Sequence, residues 1–384
     1  MSTLKVNKIE NTATTDGGIE IDSDGHVQVD GVQLPTSGQL SNRNLFMNGN
    51  FCIDQRNSGS ATTPSGTNWT LDRFRILQPS GTAAFTIEQQ TSGLPSGHTH
   101  GVKIELADNQ TPSSSQQYFF GTAFECNNVG HLGFGTSSAL TTTLSFWVRA
   151  SVAGTYSISW VNDAGGRTYI DTYTINSANT WEHKTITISG DTGGSWTNSS
   201  NVRHSFLQWD LGAGSDFEGS VGWQTGSLRK TSGSVNFVSG TDGDEFYLTG
   251  IQLEVGNKAT PFEHESYAQT LQKCLRYFFK PNCQGSAKQK MMGISYGANS
   301  YYMSVDFPVP MRVAPSVPTD SGGTWRSRTN NVNHVTSNWS THGTASTTNI
   351  MITMNSSGTI AGGTPFWFET HDSSGCSLEF DAEF

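Results

Sequence analysis

The chain has 384 residues, enough for two or three domains with sizeable cores, yet it is only 34% hydrophobic and 14% charged, with 42 glycines and 11% aromatic residues. That aromatic content excludes an intrinsically disordered chain, and low charge with abundant Gly, Ser, Thr and Asn fits an all-β protein of short strands and tight turns. The net charge is −10, from 22 Lys and Arg against 32 Asp and Glu with no basic cluster, which argues against nucleic acid or an anionic membrane as a partner.

No apolar run approaches the roughly 20 residues of a membrane helix, so no membrane insertion is expected. The first residues carry no signal-peptide apolar core. Cys52, Cys126, Cys274, Cys283 and Cys376 are odd in number, scattered and free of CxxC spacing, which implies neither a disulfide framework nor a zinc site and agrees with synthesis in a cytosol.

Residues 1–40 differ from the rest. Ile19 and Ile21, Val27 and Val29, and Val32 and Leu34 mark three short alternating strands separated by Asp/Gly turns. A single copy of so small a ribbon buries too little apolar surface to fold alone and leaves its edges open. Copies from several chains wound together solve both problems. These six residues are therefore expected to form an oligomerisation and anchor surface, an intertwined stem. The reasoning requires more than one chain but cannot fix three.

Residues 41–264 read as a jelly-roll β-sandwich. Leu144, Phe146 and Val148 alternate with Ser145, Trp147 and Arg149, and a turn at Ala153-Gly154 leads into Tyr156–Trp160 as a hairpin. Strands recur at intervals of roughly ten residues without helical spacers, as in a sandwich rather than a parallel sheet. Ile251, Leu253 and Val255 alternate with Gln252 and Glu254 in a closing strand, and just before them, where both parities are apolar at Tyr247 and Leu248 and Gly250 intervenes, a bulge or two-sided burial is expected.

One short linking helix is predicted over residues 265–281. Ser266 with Gln269 forms a capping box, Tyr267, Leu271, Cys274, Leu275 and Phe278 share a face, and Pro281 stops the helix. Such a helix between two β-rich regions is expected to clamp them together. Residues 282–384 then form a smaller C-terminal β-sandwich, the tip domain. Its probable strands cover 291–296, 301–307, 350–354, 365–370 and 377–384. Phe307 to Pro315 reads as an extended crossing segment, and 319–348 as a long polar loop.

Several of these pieces together resemble a module of tailed-bacteriophage tail fibres and related receptor-binding virion proteins. They are 44–51 with Gln55-Arg56, Leu71-Asp72-Arg73-Phe74, Leu144–Ala150, Thr180-Trp181-Glu182, the pattern Phe246–Gly256, Ala259–Tyr267, Leu271 and Cys274–Phe278, and Leu378–Phe384. The resemblance covers about residues 44–384. It implies a homotrimeric tail fibre, made in the host bacterial cytoplasm and carried on the virion. Residues 1–40 would hold other tail or baseplate proteins, and the outer lobes would grip a host surface polysaccharide or lipopolysaccharide. Attachment would then be multivalent adhesion. Two alternatives stay open: a purely structural virion appendage or decoration protein, and a polysaccharide depolymerase. The second is disfavoured by the missing β-helix repeats, and no enzyme activity is expected.

Sugar binding calls for aromatic rings against apolar pyranose faces with polar side chains around them. Trp325, Arg326, Arg328, Asn330, His334 and Trp339 supply that mixture in the polar stretch; the plainer reading is that the two tryptophans cover a domain end or a subunit seam. Trp160 and Trp209 share parity with apolar strand residues and are expected in the core. Trp196 and Trp223 fall in loops and are the better ligand candidates within the sandwich. No cofactor or metal is called for. Asp22 and Asp24 read as a turn, and Asp242, Asp244 and Glu245 as a solvated turn or a structural calcium site. His98 and His100 lack a third ligand and read as a strand end. The carboxylates Glu263/Glu265 and Glu379/Asp381/Glu383 are assigned to a helix end and to the polar face of a terminal strand. No catalytic motif is present.

Overall fold

A computed structural model describes residues 8–10, 18–21, 27–29, 32–33, 42–281, 291–297, 300–315, 319–320, 325–329, 332–341, 343–356, 361–370 and 378–384. The N-terminal ribbon is an antiparallel meander of β1 (Lys8–Glu10), β2 (Gly18–Ile21), β3 (Val27–Val29) and β4 (Val32–Gln33). Ile9 lies opposite Ile19, and with Ile21 these residues stand 58%, 45% and 44% exposed. Among the described residues, therefore, these three isoleucines have no core to enter in one chain. Of the expected anchor residues, Leu34 and the side chains of Val29 and Val32 lie outside the described residues.

The sandwich is built from β5 (Asn68–Trp69), β6 (Arg75–Leu77), β7 (Phe85–Gln90), β8 (Gly101–Leu106), β9 (Gln117–Glu125), β10 (Thr142–Ala150), β11 (Gly154–Asn162), β12 (Arg167–Ile175), β13 (Glu182–Ile188), β14 (Arg203–Ala213), β15 (Glu218–Gly219), β16 (Gly222–Thr225), β17 (Lys230–Thr231) and β18 (Glu245–Val255). One sheet has the order β13-β10-β18-β8-β7 and the other β16-β12-β11-β14-β9-β6-β5. The period-two pattern decides which face is buried. Leu144, Phe146 and Val148 of one sheet meet Ile158, Trp160 and Trp209 of the other in one continuous core. Trp160 and Trp209 are fully buried in it. A register shift between Ser145 and Trp147, opposite Gly250, supplies the predicted bulge.

Two short helices interrupt the strands, one more than expected: α1 (Cys126–Val129) and α2 (Tyr267–Leu275). Ser266 and Gln269 make the predicted capping box on α2. The helix stops at Leu275, however, six residues before Pro281 and not at it, because Tyr277 and Phe278 turn inward and β19 (Phe278–Phe279) pairs with the last strand. Tyr267, assigned to the buried stripe, is 61% exposed, whereas Thr270 and Cys274 are buried.

The C-terminal lobe corrects the expected smaller sandwich. The strands β20 (Met291–Ser295), β21 (Ser300–Asp306), β23 (Trp325–Thr329), β24 (Val332–Thr341), β25 (Asn349–Ser356) and β26 (Pro365–Thr370) close into a barrel of order β20-β21-β25-β24-β23-β26. Closure leaves no open edge, which a small two-layered lobe could not avoid. The decisive pairing joins Met291 to Phe368, far apart in sequence and invisible to local patterning. The stretch taken for a long loop is mostly a hairpin, with Thr329 paired to Val332. Thr, Ser, Asn and Trp there satisfy a pleated strand without an aliphatic pattern to announce it. Finally β22 (Thr319–Asp320) and β27 (Leu378–Asp381) form a small sheet with β19.

The clamp between lobes is the segment after the helix together with the C-terminal residues. Glu125, wholly buried on β9, receives Arg276 through Nη2 at 2.6 Å and Nε at 3.1 Å, and the Tyr277 hydroxyl at 2.5 Å. Burial opposes its charge, but these donors hold its pKa below the ordinary carboxylate value. Arg73 donates to Glu383 and to the Ala123 carbonyl, and lies 3.5 Å above the Tyr277 ring. Arg56 pairs with Asp381 at 2.9 Å and covers Phe278. Arg312 donates to the carbonyls of Ala382, Asn201 and Glu383 while stacking on Phe384. The terminal carboxylates thus serve the joint.

Candidate functional site: the outer face of the five-stranded sheet

Five rings from four elements meet on the outward face of the smaller sheet. Trp147 of β10 stands opposite His183 of β13, with ring centroids 5.2 Å apart. His98, from the β7–β8 connection, lies 6.4 Å from Trp147, 5.4 Å from Phe262 and 6.0 Å from His264. Phe262 and His264, from the connector after β18, are 5.0 Å apart. His183 and His264 are exposed, and Trp147, His98 and Phe262 are half-buried.

Local backbone geometry makes this strip possible. Gly250 sits in the bulge at φ +59°, and a Cβ there would come within 2.4 Å of His98 Cε1. The missing side chain lets the imidazole approach the centre of the sheet closely. Burial pushes the His98 pKa down, and the neighbouring His264 and His183 push it the same way. A neutral imidazole both donates and accepts, which suits a hydroxyl-rich ligand. Among the described residues, the buried His98 Nδ1 has no hydrogen-bond partner, an uncommon state for a ring nitrogen.

Next to the strip, Glu245 gathers most of the polar contacts. Arg149 lies 4.1 Å over Tyr247, whose hydroxyl donates to Glu245 at 2.7 Å. Lys103 bridges Glu105 at 2.6 Å and Glu245 at 3.2 Å. Trp181 packs 6.0 Å from Tyr247 and donates its indole N–H to Gly93.

Trp223 is on the edge strand β16 and not in a loop, paired with Tyr169, whereas Trp196 is in the connection after β13; the two rings come together 5.6 Å apart, both packed on the core. Trp196 stacks on His204 at 4.9 Å and donates to Asp191, which Arg167 also grips; Trp223 donates to the Ser189 carbonyl. Both indole N–H groups are used internally, although each ring keeps some exposure. Trp325, Arg326 and Arg328 lie on β23, and His334 and Trp339 on β24, all on barrel strands instead of a loop. Their side chains, and Asn330 altogether, lie outside the described residues.

The other candidates have ordinary partners. Asp242 accepts from Asn109, and Asp244 from Ser151 and Thr241. Glu263 accepts from the Asn44 amide and Glu265 pairs with Lys273. Among the described residues, no group of three His, Cys, Asp or Glu is placed to hold a metal, and no helix is long and apolar enough to cross a membrane.

The strip was only partly readable. The outward parity of Trp147 is visible in the alternation of β10, but its juxtaposition with His183, His98, Phe262 and His264 depends on pairings and connector paths that no spacing reveals.

No family model matches the chain, and no curated protein matches it. Among solved structures, the enzymatically active domain of bacteriophage CBA120 tailspike protein 4 aligns at 12% identity with a TM-score of 0.30, over 56% of this chain and 21% of that one. A CBM4 module aligns at 14% identity and 0.29, over 54% of this chain and 98% of that one. TmCBM61, solved with beta-1,4-galactotriose, aligns at 13% and 0.28, over 56% and 99%. Likeness this distant says nothing about a ligand. The β-sandwich stands on the strand order described above.

Proposed function

We propose that this protein is a non-enzymatic attachment fibre of a phage virion, which binds host surface glycan through the ring strip Trp147, His183, His98, Phe262 and His264. The observation that carries the reading is that five partly exposed rings form a continuous surface over a sheet, with an unpartnered imidazole nitrogen at its centre. Rings of this kind offer apolar faces to a pyranose at low entropic cost, and the imidazoles address its hydroxyls.

Assembly into a homotrimer, with residues 1–40 wound into a stem that engages tail or baseplate proteins, belongs to the same proposal. It is supported by the exposed isoleucines of the ribbon and by Met292 and Ile294 on β20 and Met351 on β25, the two barrel strands that flank β21, which stand 66%, 49% and 41% exposed. Copies of one chain can cover such faces, and several identical lobes would gain avidity.

The test is adsorption of wild-type protein and of Trp147→Ala and His98→Ala variants to host cells and to purified host polysaccharide. Loss of about tenfold or more in affinity, with the unfolding midpoint held, is expected for Trp147→Ala. Wild-type binding unaffected by both substitutions would remove the strip from the account. Failure of the wild type to bind any host glycan would favour the structural appendage.

A further inference from the structure

The opposite face of the sandwich carries a cation that lacks a counter-ion. Arg75 on β6 stacks its guanidinium 4.1 Å above Phe206, and Arg203 lies over the same ring at 4.3 Å. Arg75 also lies 5.7 Å from Trp69, its direct cross-strand neighbour, and 5.9 Å from Phe119. Arg229 approaches Phe119 from another side at 5.7 Å.

Two of the three arginines are answered within the fold. Arg203 is paired with Asp163, and Arg229 donates to Gln117, Ser227 and the Leu228 carbonyl. Among the described residues, the Arg75 guanidinium makes neither an ion pair nor a hydrogen bond, and its contacts are with rings. Burial pushes its pKa down to about 10, and repulsion from Arg203 and Arg229 adds to this, with Glu383 opposing. It stays protonated at neutral pH. In a chain of net charge −10, three guanidinia around two phenyl rings form an island of unfavourable charge that an anion would relieve.

We infer that Arg75 anchors a second glycan subsite, which takes an oxyanion substituent of an acidic sugar on its planar fork while Trp69 receives the sugar ring. The fork matches a carboxylate, sulfate or phosphate in bidentate fashion, and its stack on Phe206 fixes the plane in advance. Trp69 is partly exposed beside it. This inference rests on the protein being a glycan binder and adds a charged class of glycan, bound independently of the ring strip.

The experiment is calorimetric titration of the full chain and of Arg75→Gln and Arg75→Lys with trigalacturonate, its methyl ester, a sulfated trisaccharide, inorganic sulfate and inorganic phosphate. The acidic trisaccharides are expected to bind and the methyl ester not to. Arg75→Gln should weaken binding about tenfold or more, and Arg75→Lys, which keeps the charge but not the fork, should fall between. Added salt should weaken binding. Equal binding of trigalacturonate by wild type and Arg75→Gln overturns the inference, as does binding of inorganic anions with no saccharide bound. A change in oligomeric state of folded Arg75→Gln, without saccharide binding by the wild type, also overturns it by making the patch a subunit contact. If acidic saccharides fail while Trp147-dependent binding to host glycan persists, only this inference falls. If both fail, the glycan reading falls with it.

Discussion

Removing Glu383 tests whether the buried charges of the joint hold the two lobes together. Its side chain is 1% exposed, and its Oε2 accepts from Arg73, itself 3% exposed. Arg56 stands 3.7 Å from the other oxygen. At an effective dielectric near 20, a contact pair gains roughly 5 kcal/mol before desolvation is charged against it, and burial takes back much of that. The pair therefore contributes little net. Truncating one partner is different, since Glu383→Ala strands a buried guanidinium at a cost of about 3–5 kcal/mol. The low end is expected here, because Arg73 keeps the Ala123 carbonyl at 2.7 Å and the Tyr277 ring at 3.5 Å.

The same logic fixes the control. In Arg73→Met with Glu383→Leu no buried charge is left unpaired, so most of the loss should be recovered, within about 1 kcal/mol of wild type. Urea melts of the three proteins give the comparison, and limited proteolysis across 276–281 reports whether the lobes have separated. A double variant no more stable than Glu383→Ala would refute the reasoning, and so would a Glu383→Ala loss below about 1 kcal/mol.

Two buried groups on β14 should impose opposite pH dependences. Burial pushes the Asp210 carboxyl up from 3.8 to about 7, so the folded state takes up a proton first and stability rises as pH falls from 7 toward 4. Burial pushes His204 down from 6.5 to about 4, so its contribution is lost over pH 6.5 to 4. Each is worth on the order of 3–4 kcal/mol, and wild type should show a shallow profile. Urea midpoints from pH 4 to 8 should fall steadily toward acid in Asp210→Asn and rise toward acid in His204→Gln; parallel profiles would contradict the assignment. Ser266→Ala removes one half of the capping box and should cost about 1 kcal/mol, seen as faster amide exchange at Gln269. Gly250→Ala should displace His98 from the ring strip and strain a φ of +59°, weakening glycan binding more than stability, as read by adsorption beside a urea melt.

What the sequence disclosed follows the range over which each signal acts. The alternation of Leu144, Phe146 and Val148, the burial of Trp160 and Trp209, the cap at Ser266 and the bulge at Gly250 are set within a few residues, and all were legible. Barrel closure through Met291 and Phe368, the early end of α2, and the meeting of His98 with Trp147 depend on contacts made elsewhere. The motifs that made the chain recognisable illustrate the point most directly. Asn44 accepts the Leu253 amide, Gly49 leaves no room for a Cβ against the Ile251 carbonyl, Asp72 takes Gln55, and Arg73 takes Glu383. Those strings meet where the sandwich closes and where the barrel is fastened to it. They serve the architecture, where a buried polar group left unpaired is costly. The residues proposed to bind, Trp147, His98 and Arg75, are set by no such closing contact, so a pattern able to reveal the scaffold has little to say about what its outer faces would bind.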